Sequence, residues 1–352
     1  MKILGIETSC DETAAAVVQD GNKLLSNVVA SSVDLHAAYG GVVPEIAARS
    51  HIESILPVIS EALAAAKTDW DDIDAIGVTY GPGLSGSLLI GALTARTLAI
   101  AKNKPLYAVN HVEAHVYANF IASASLPDYS LPPAAPEFPL LALIVSGGHT
   151  QLVLFKNHFD YQVLGQTGDD AVGEAFDKVA KILGLPYPGG PSVSDAAKKG
   201  DSASVKLPIS KLQNPYDFSF SGLKTAVLRA AQKAAGKDFT FPSSALPEAL
   251  SATQKNDLAA SFQHTAITTL IAGLQAATRE FEPQSIVIAG GVAANQELRR
   301  QAEKLQPKPI YTDIKLCTDN AAMIAAQTYF MATHKRPPVD PYTLEIDPGL
   351  QM

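Results

Sequence analysis

Cysteine is nearly absent. Only Cys10 and Cys317 occur in 352 residues, too few for a disulfide framework. The start, MKILGIETS, lacks a basic stretch followed by an apolar run, so it reads as a strand and not as an export signal, and a cytoplasmic location is expected. Positive charge is also short. The 27 Lys and Arg against 35 Asp and Glu leave a net charge of −8, which argues against gripping nucleic acid by the field of the whole chain. One uncharged run, Ala75 to Ala95, is long enough to raise the question of a membrane span, but Gly77, Gly81, Pro82, Gly83, Gly86 and Gly91 break it. It reads as a strand, a glycine loop and a helix start, with no membrane association. There is no G-x-x-x-x-G-K-[ST], which excludes a P-loop, and no G-x-G-x-x-G after the first strand, which argues against a dinucleotide site of the Rossmann type.

What is present is an ordinary globular composition, 47% hydrophobic and 18% charged, in a chain long enough for two lobes with sizeable cores. Two hairpins stand out. Ile3–Thr8 turns through Ser9–Glu12 into Thr13–Val18, and Leu140–Val145 turns through Ser146–His149 into Thr150–Leu154. After each comes a Gly-Gly followed at the same offset by Ala-Ala (GGVVPEIAARS, GGPSVSDAAKKG), and later a strand feeding a glycine loop and helix (GVTYGPGLSGSLL, IVIAGGVAANQEL). This order predicts an α/β protein made by internal duplication. The Pro-rich stretch 123–139 reads as a surface linker, giving an N-terminal lobe of 1–130 plus about 320–352 and a C-terminal lobe of 138–319. In DDAVGEAFDKVAKIL, Val172, Phe176, Val179 and Leu183 line one helical face. The tail after Arg336 has no period and reads as loose or packed coil.

Chemistry concentrates in a few segments. In His111-Val112-Glu113-Ala114-His115 two imidazoles recur at i, i+4, so a helix places both on one face within reach of one metal ion. Glu113 lies about 200° around from His111, unlike the base of an H-E-x-x-H peptidase, so the pair suggests a metal that binds and polarises. Alone the spacing is a weak signal. The Gly-Gly pairs at Gly40, Gly147, Gly189 and Gly290 offer bare N–H groups to an anion, although each also serves as a simple turn. His149 reads equally as a metal or phosphate contact and as a structural hydrogen bond. Cys10 has no His near it in sequence and reads as a small turn residue before it reads as a nucleophile. From Lys178 to Lys237 ten basic residues face three acids, either a solvated surface or a rim for RNA.

Duplicated lobes, polar hairpin turns and a late IVIAGGVAAN are the pattern of the actin/Hsp70/sugar-kinase (ASKHA) architecture, which places the active site in the cleft between its lobes. Within it the chain resembles the bacterial TsaD family of tRNA threonylcarbamoyladenosine transferases, earlier described as O-sialoglycoprotein endopeptidases. The resemblance is carried in order by GIETSCDET, HAAYGGVVPEIA, GPGLSGSLLIG, HVEAH, VSGGHTQL, DDAVGEAFDKVAKILGLPYPGGP, DFSFSGLKTA, AGGVAANQELR and CTDNAAMIA. It implies His111, His115 and Asp319 as ligands of one divalent metal, Fe2+ first and Zn2+ second. It implies Ile144, Val145, Ser146, Gly147, Gly148, Asp177, Gly190 and Asn295 as the site for threonylcarbamoyladenylate. The implied reaction transfers the threonylcarbamoyl group to N6 of adenosine 37 in tRNAs that read ANN codons, with release of AMP. Asp11, beside Glu12 in the first hairpin turn, is the candidate for taking the amine proton. Implied partners are tRNA, a TsaB-like paralogue and a TsaE-like ATPase. One position departs from the pattern: Ser194 stands where many relatives carry Asp, with Asp195 beside it. A metallopeptidase and a small-molecule kinase of the same architecture are the rival classes.

Overall fold

The apolar stretch KILGIE opens the first sheet, with every residue from Ile3 to Glu7 buried. In this computed structural model, which describes residues 1–352, the strands are β1 (Lys2–Glu7), β2 (Glu12–Gln19), β3 (Lys23–Ser31), β4 (Ala75–Gly81), β5 (Leu106–Asn110), β6 (Ser123–Ala124), β7 (Leu140–Val145), β8 (Thr150–Asn157), β9 (Asp160–Gln166) and β10 (Ser285–Ala289). The helices are α1 (Val33–Ala37), α2 (Pro44–Ala65), α3 (Ser85–Lys102), α4 (His111–Tyr117), α5 (Val172–Leu183), α6 (Gly189–Ala197), α7 (Ser221–Ala234), α8 (Leu246–Ala249), α9 (Ala252–Phe281), α10 (Gln296–Ala302) and α11 (Ala321–Thr333). Two compact units result, 1–137 with 310–352, and 138–309.

The first unit holds a sheet of order β5-β4-β1-β2-β3-β6, the second a sheet of order β10-β7-β8-β9. In each, three antiparallel strands follow one another, and the first of them also pairs in parallel with the strand that precedes a glycine loop: β4 beside β1, β10 beside β7. The duplication read from the sequence is therefore a repeated strand plan. Both expected hairpins form, although Glu12 opens β2 instead of lying in the turn.

Helix α11 lies flat on the first sheet because two glycines clear its path. Gly5 and Gly77 sit opposite each other on β1 and β4. A Cβ at Gly5 would strike the Ala321 carbonyl, and one at Gly77 would strike the Thr328 hydroxyl. The helix is buried from Ala321 to Thr328. Leu4, Ile6, Val17, Ile76 and Val78 join Ile55, Ile59 and Ala62 of α2 in a further core, each large side chain contributing roughly 1.5–3 kcal/mol by burial.

The uncharged run Ala75–Ala95 resolves into β4, a loop and the start of α3, and no helix is long and apolar enough to cross a membrane. Within 123–139, Ser123 and Ala124 pair with Lys23 and Leu24 as an edge strand. Ser130 N donates to the Asp313 carboxylate at 2.6 Å. The C-terminal tail is packed coil: Arg96 donates to the carbonyls of Pro341, Tyr342 and Leu344, and Asp347 N donates to Tyr80 O at 2.8 Å. In the second unit α9 runs 30 residues, about 45 Å, and starts from a Ser251/Gln254 capping box. Val172, Phe176, Val179 and Leu183 form the buried face of α5 as expected.

Candidate metal centre and nucleotide loops

Asn110 caps α4, its Oδ1 accepting Val112 N at 2.9 Å and Glu113 N at 3.2 Å, so the helix begins at His111 and both histidines lie within seven residues of regular helix. A second cap places the third group. Asn320 starts α11 by accepting Met323 N at 3.1 Å and donates to Leu316 O and Thr318 O, which holds Asp319 just ahead of the helix. The result joins residues more than two hundred positions apart: one ligand atom from each of His111, His115 and Asp319 lies within 4.8 Å of the others. His111 Nε2 is 3.5 Å and His115 Nε2 3.4 Å from Asp319 Oδ1. Neither ring nitrogen of His115 has a hydrogen-bond partner although the side chain is buried.

His111 is oriented from behind. Its Nδ1 is 3.1 Å from Glu7 Oε2 and 3.1 Å from Ser9 Oγ. Thr79 Oγ1 also donates to Glu7 Oε2, and Ser9 N to Glu7 Oε1. Burial alone would push the Glu7 carboxyl up, but His111 and Thr79 more than offset it and hold it below the ordinary carboxylate range. Burial likewise opposes charge on His111, yet Asp319 and Glu7 push it up to about 9. Glu113 is not among the converging groups; burial raises it to about 7, with Arg336 and Gln327 acting against the rise.

The first hairpin turn, which carries Asp11, is clamped by residues that the sequence did not single out. His51 of α2 lies 2.8 Å from Thr13 Oγ1 through Nδ1 and 2.9 Å from Cys10 O through Nε2. Ser87 Oγ donates to the same Cys10 carbonyl, and Ser32 Oγ donates to Asp11 O while contacting buried His36 at 3.1 Å. Burial, followed by the charges of Asp319 and Asp11, pushes Glu12 up to about 9. The same causes push the Cys10 thiol far up, which removes the thiolate a nucleophile needs.

In the second unit, Ile144 and Val145 end β7, pairing with Gln151 and Thr150, and both are fully buried. The turn Ser146–His149 is closed by Ser146 N donating to His149 O at 2.8 Å and His149 N donating to Ser146 Oγ at 3.1 Å. A Cβ at Gly147, Gly148 or Gly190 would meet nothing within 4 Å. Gly189 differs: its Cβ would lie 2.5 Å from Asp177 Cα, and its N–H donates to Asp177 Oδ1 at 2.7 Å. Burial raises the Asp177 carboxyl, with the Gly189 N–H partly offsetting it. Asn295 caps α10 through Oδ1 and donates from Nδ2 to Ser194 Oγ at 3.0 Å and Gln263 Oε1 at 2.9 Å, while Ser194 Oγ donates to Gln263 Oε1 at 2.8 Å. Ser194 thus already has partners within a polar triangle whose third corner, Gln263, comes from α9.

A family model described as "TsaD: tRNA N6-adenosine threonylcarbamoyltransferase" matches residues 23–326. The chain belongs to the TsaD family. Proteins named tRNA N6-adenosine threonylcarbamoyltransferase are 52% identical in Thermomicrobium roseum, covering 94% of this chain and 92% of that one, and 51% identical in Symbiobacterium thermophilum, covering 94% and 91%. The one from Bacillus licheniformis is 48% identical over 92% and 90%. Among solved structures, component A of (R)-2-hydroxyglutaryl-CoA dehydratase from Acidaminococcus fermentans matches with TM-score 0.51 at 17% identity, covering 95% of this chain and 99% of that one. Full-length HypF in its phosphate- and nucleotide-bound form matches with TM-score 0.57 at 12% identity, covering 95% of this chain and 56% of that one. These two likenesses speak for the fold alone, which is that of the actin/Hsp70/sugar-kinase class. Membership of a family of threonylcarbamoyltransferases sets aside the peptidase and kinase alternatives.

Proposed function

We propose that this chain transfers the threonylcarbamoyl group from L-threonylcarbamoyladenylate to N6 of adenosine 37 in tRNAs that read ANN codons. The observation that carries the reading is the family match over residues 23–326. A C–N bond forms between N6 and the carbamoyl carbon, the C–O bond to phosphate breaks, AMP leaves, and the amine loses a proton. The exocyclic amine is a poor nucleophile, so the gain comes from holding it against the carbonyl and from stabilising the oxyanion.

The first unit supplies a metal centre. Two imidazoles and a carboxylate suit Fe2+, with Zn2+ the alternative. The fit is supported by His115, whose ring nitrogens make no hydrogen bond and whose Nε2 faces Asp319 Oδ1 at 3.4 Å, and by Glu7 behind His111, the carboxylate–histidine arrangement that orients a ligand and leaves Nε2 forward. Held by His111, His115 and Asp319, an ion would supply positive charge able to polarise an oxygen. Asp11, held through its backbone by Ser32, takes the amine proton. The second unit supplies the adenylate contacts: Ile144 to Gly148 at the carbamoyl and phosphate groups, Asp177 and Gly190 at the ribose, Asn295 at the adenine or ribose. The open space over Gly147, Gly148 and Gly190 supports this placement. Because Ser194 is engaged by Gln263 and Asn295, its hydroxyl serves to fix Asn295. The protein works in the cytoplasm with a TsaB-like paralogue and a TsaE-like ATPase.

The test is mass spectrometry of tRNA nucleosides from cells depleted of this protein. Threonylcarbamoyladenosine should vanish, return with the wild-type gene, and stay absent with His111→Ala/His115→Ala, whose purified form keeps its circular dichroism but holds no metal. Full metal occupancy in that double variant would remove the ligand assignment, and persistence of the nucleoside on depletion would remove the function.

A further inference from the structure

The basic surplus between Lys178 and Lys237 is uneven once its ion pairs are assigned. Lys178 and Lys224 both reach the Asp170 carboxylate, at 2.7 and 3.2 Å, and Lys198 pairs with Asp195 at 2.9 Å. At the C-terminal end of α7 the charge is left over. Arg229, Lys233 and Lys237 line one surface pocket of ≈ 480 Å³ with Ala230, Asp238 and Phe239, and none of the three cations has a carboxylate partner. The one acid of the pocket, Asp238, is turned to its own loop, its carboxylate accepting Thr240 N at 2.8 Å and Thr240 Oγ1 at 2.6 Å, and it stays charged, so the lining keeps a surplus of positive charge.

The same pocket displays an aromatic ring. Phe239 is 67% exposed, with the Arg229 guanidinium 4.8 Å from its centroid. Its loop is fastened and not adrift: Arg229 Nη1 donates to Phe239 O at 3.0 Å, and the buried Gln232 donates from Nε2 to Phe239 O at 3.3 Å and Phe241 O at 2.8 Å. Cations near a helix C-terminus are favoured by its dipole, which accounts for Lys233 but not for a fixed ring open to solvent beside it. Three cations against one acid around a held aromatic ring, with Lys237 Nζ also 5.2 Å from the Phe241 ring, fit a nucleic-acid strand, whose phosphates take the charges and whose base stacks on the Phe239 ring. An acidic protein would meet the same charges and pack a side chain on the ring, and it is told from RNA by the salt slope and by the partner-association readout.

We propose that Arg229, Lys233, Lys237 and Phe239 form a contact surface for RNA, and that its occupant is the tRNA substrate. The identity of that RNA rests on the function proposed above. The probe is an unmodified transcript of an ANN-reading tRNA, titrated by fluorescence anisotropy against the full-length protein assembled with its TsaB-like and TsaE-like partners, between 50 and 200 mM salt. Each phosphate contact contributes roughly 0.7–0.9 to the log–log salt slope. Lys233→Glu/Lys237→Glu should therefore flatten the slope by roughly 1.4–1.8 and weaken binding on the order of tenfold at the middle of the range. Phe239→Ala should weaken binding about fivefold or more with the slope unchanged, since stacking releases no counterions. Adenylate affinity should stay constant in both. Lys198→Glu/Lys199→Glu/Lys206→Glu/Lys211→Glu is the comparison surface. Unchanged affinity and slope in Lys233→Glu/Lys237→Glu overturns the proposal, as does a flattened slope confined to the comparison variant. Loss of partner association with tRNA affinity intact overturns it in favour of a protein-docking face. Binding of the transcript by wild type without transfer would defeat the proposed catalysis while leaving the RNA surface standing.

Discussion

Replacing His115 by leucine should change stability in opposite directions with and without a divalent ion. The side chain is buried and both ring nitrogens lack a hydrogen-bond partner. A buried, unsatisfied polar atom costs about 1–3 kcal/mol, and exchanging the ring for an apolar chain of similar volume costs about 1 kcal/mol in packing. In chelator, His115→Leu should therefore gain about 1 kcal/mol, roughly 2–4 °C in Tm at 2–4 °C per kcal/mol. With ion at about one hundred times its Kd, wild type gains about 2.7 kcal/mol by mass action. The variant, left with His111 and Asp319, should gain little. Differential scanning fluorimetry in EDTA and in excess Fe2+ or Zn2+, under anaerobic conditions for iron, reads both arms. A Tm in EDTA below that of wild type, or an equal ion-induced rise in both proteins, would refute the view that His115 is a ligand held ready.

Three further outcomes are expected. Gly148→Val should abolish calorimetric adenylate binding while shifting Tm by less than about 2 °C, because its Cβ meets nothing within 4 Å, whereas Gly189→Ala should cost about 1–3 kcal/mol, because its Cβ runs into Asp177. Asp177→Asn should be more stable than wild type at neutral pH: burial raises the folded carboxyl above its unfolded value near about 4, so the charged form is penalised as pH rises through that window, and the advantage should fade below it. An advantage that grows on acidification would contradict the cause assigned. Cys10→Ala should keep transfer activity, and Cys10 of the folded protein should resist iodoacetamide at pH 8, because burial and its carboxylate neighbours keep the thiol protonated.

The legible parts of the site were those with local periods. The i, i+4 histidines needed only helical geometry, and the hairpins were bounded by small polar turns that the structure reproduces. Asp319 came from the resemblance alone, since its approach depends on α11 lying against Gly5 and Gly77, a contact with no local signature. Glu7 was visible in principle as a charge at the end of an otherwise apolar strand, yet its role depends on Thr79 and His111 from other elements. His36 and His51 carry no local signal of burial, and only the packing of α1 and α2 on the first turn shows them buried. The Ser194–Gln263–Asn295 triangle needs α9 to bring Gln263 to α6, which no spacing encodes. Ser123 and Ala124 carry too short a period to announce the edge strand they add beside β3.

Group transfer to adenosine N6 can be followed with purified components. Its most direct test incubates the purified, metal-loaded protein and its partners with threonylcarbamoyladenylate and an ANN-reading tRNA transcript. Released AMP is quantified, and the digested nucleosides are read by mass spectrometry. One threonylcarbamoyladenosine per AMP released in transfer is expected, at position 37 only, and lost when adenosine 37 is replaced by guanosine. Peptide cleavage, or conversion of ATP to ADP by the protein alone, with no modified nucleoside under these conditions, would contradict the account.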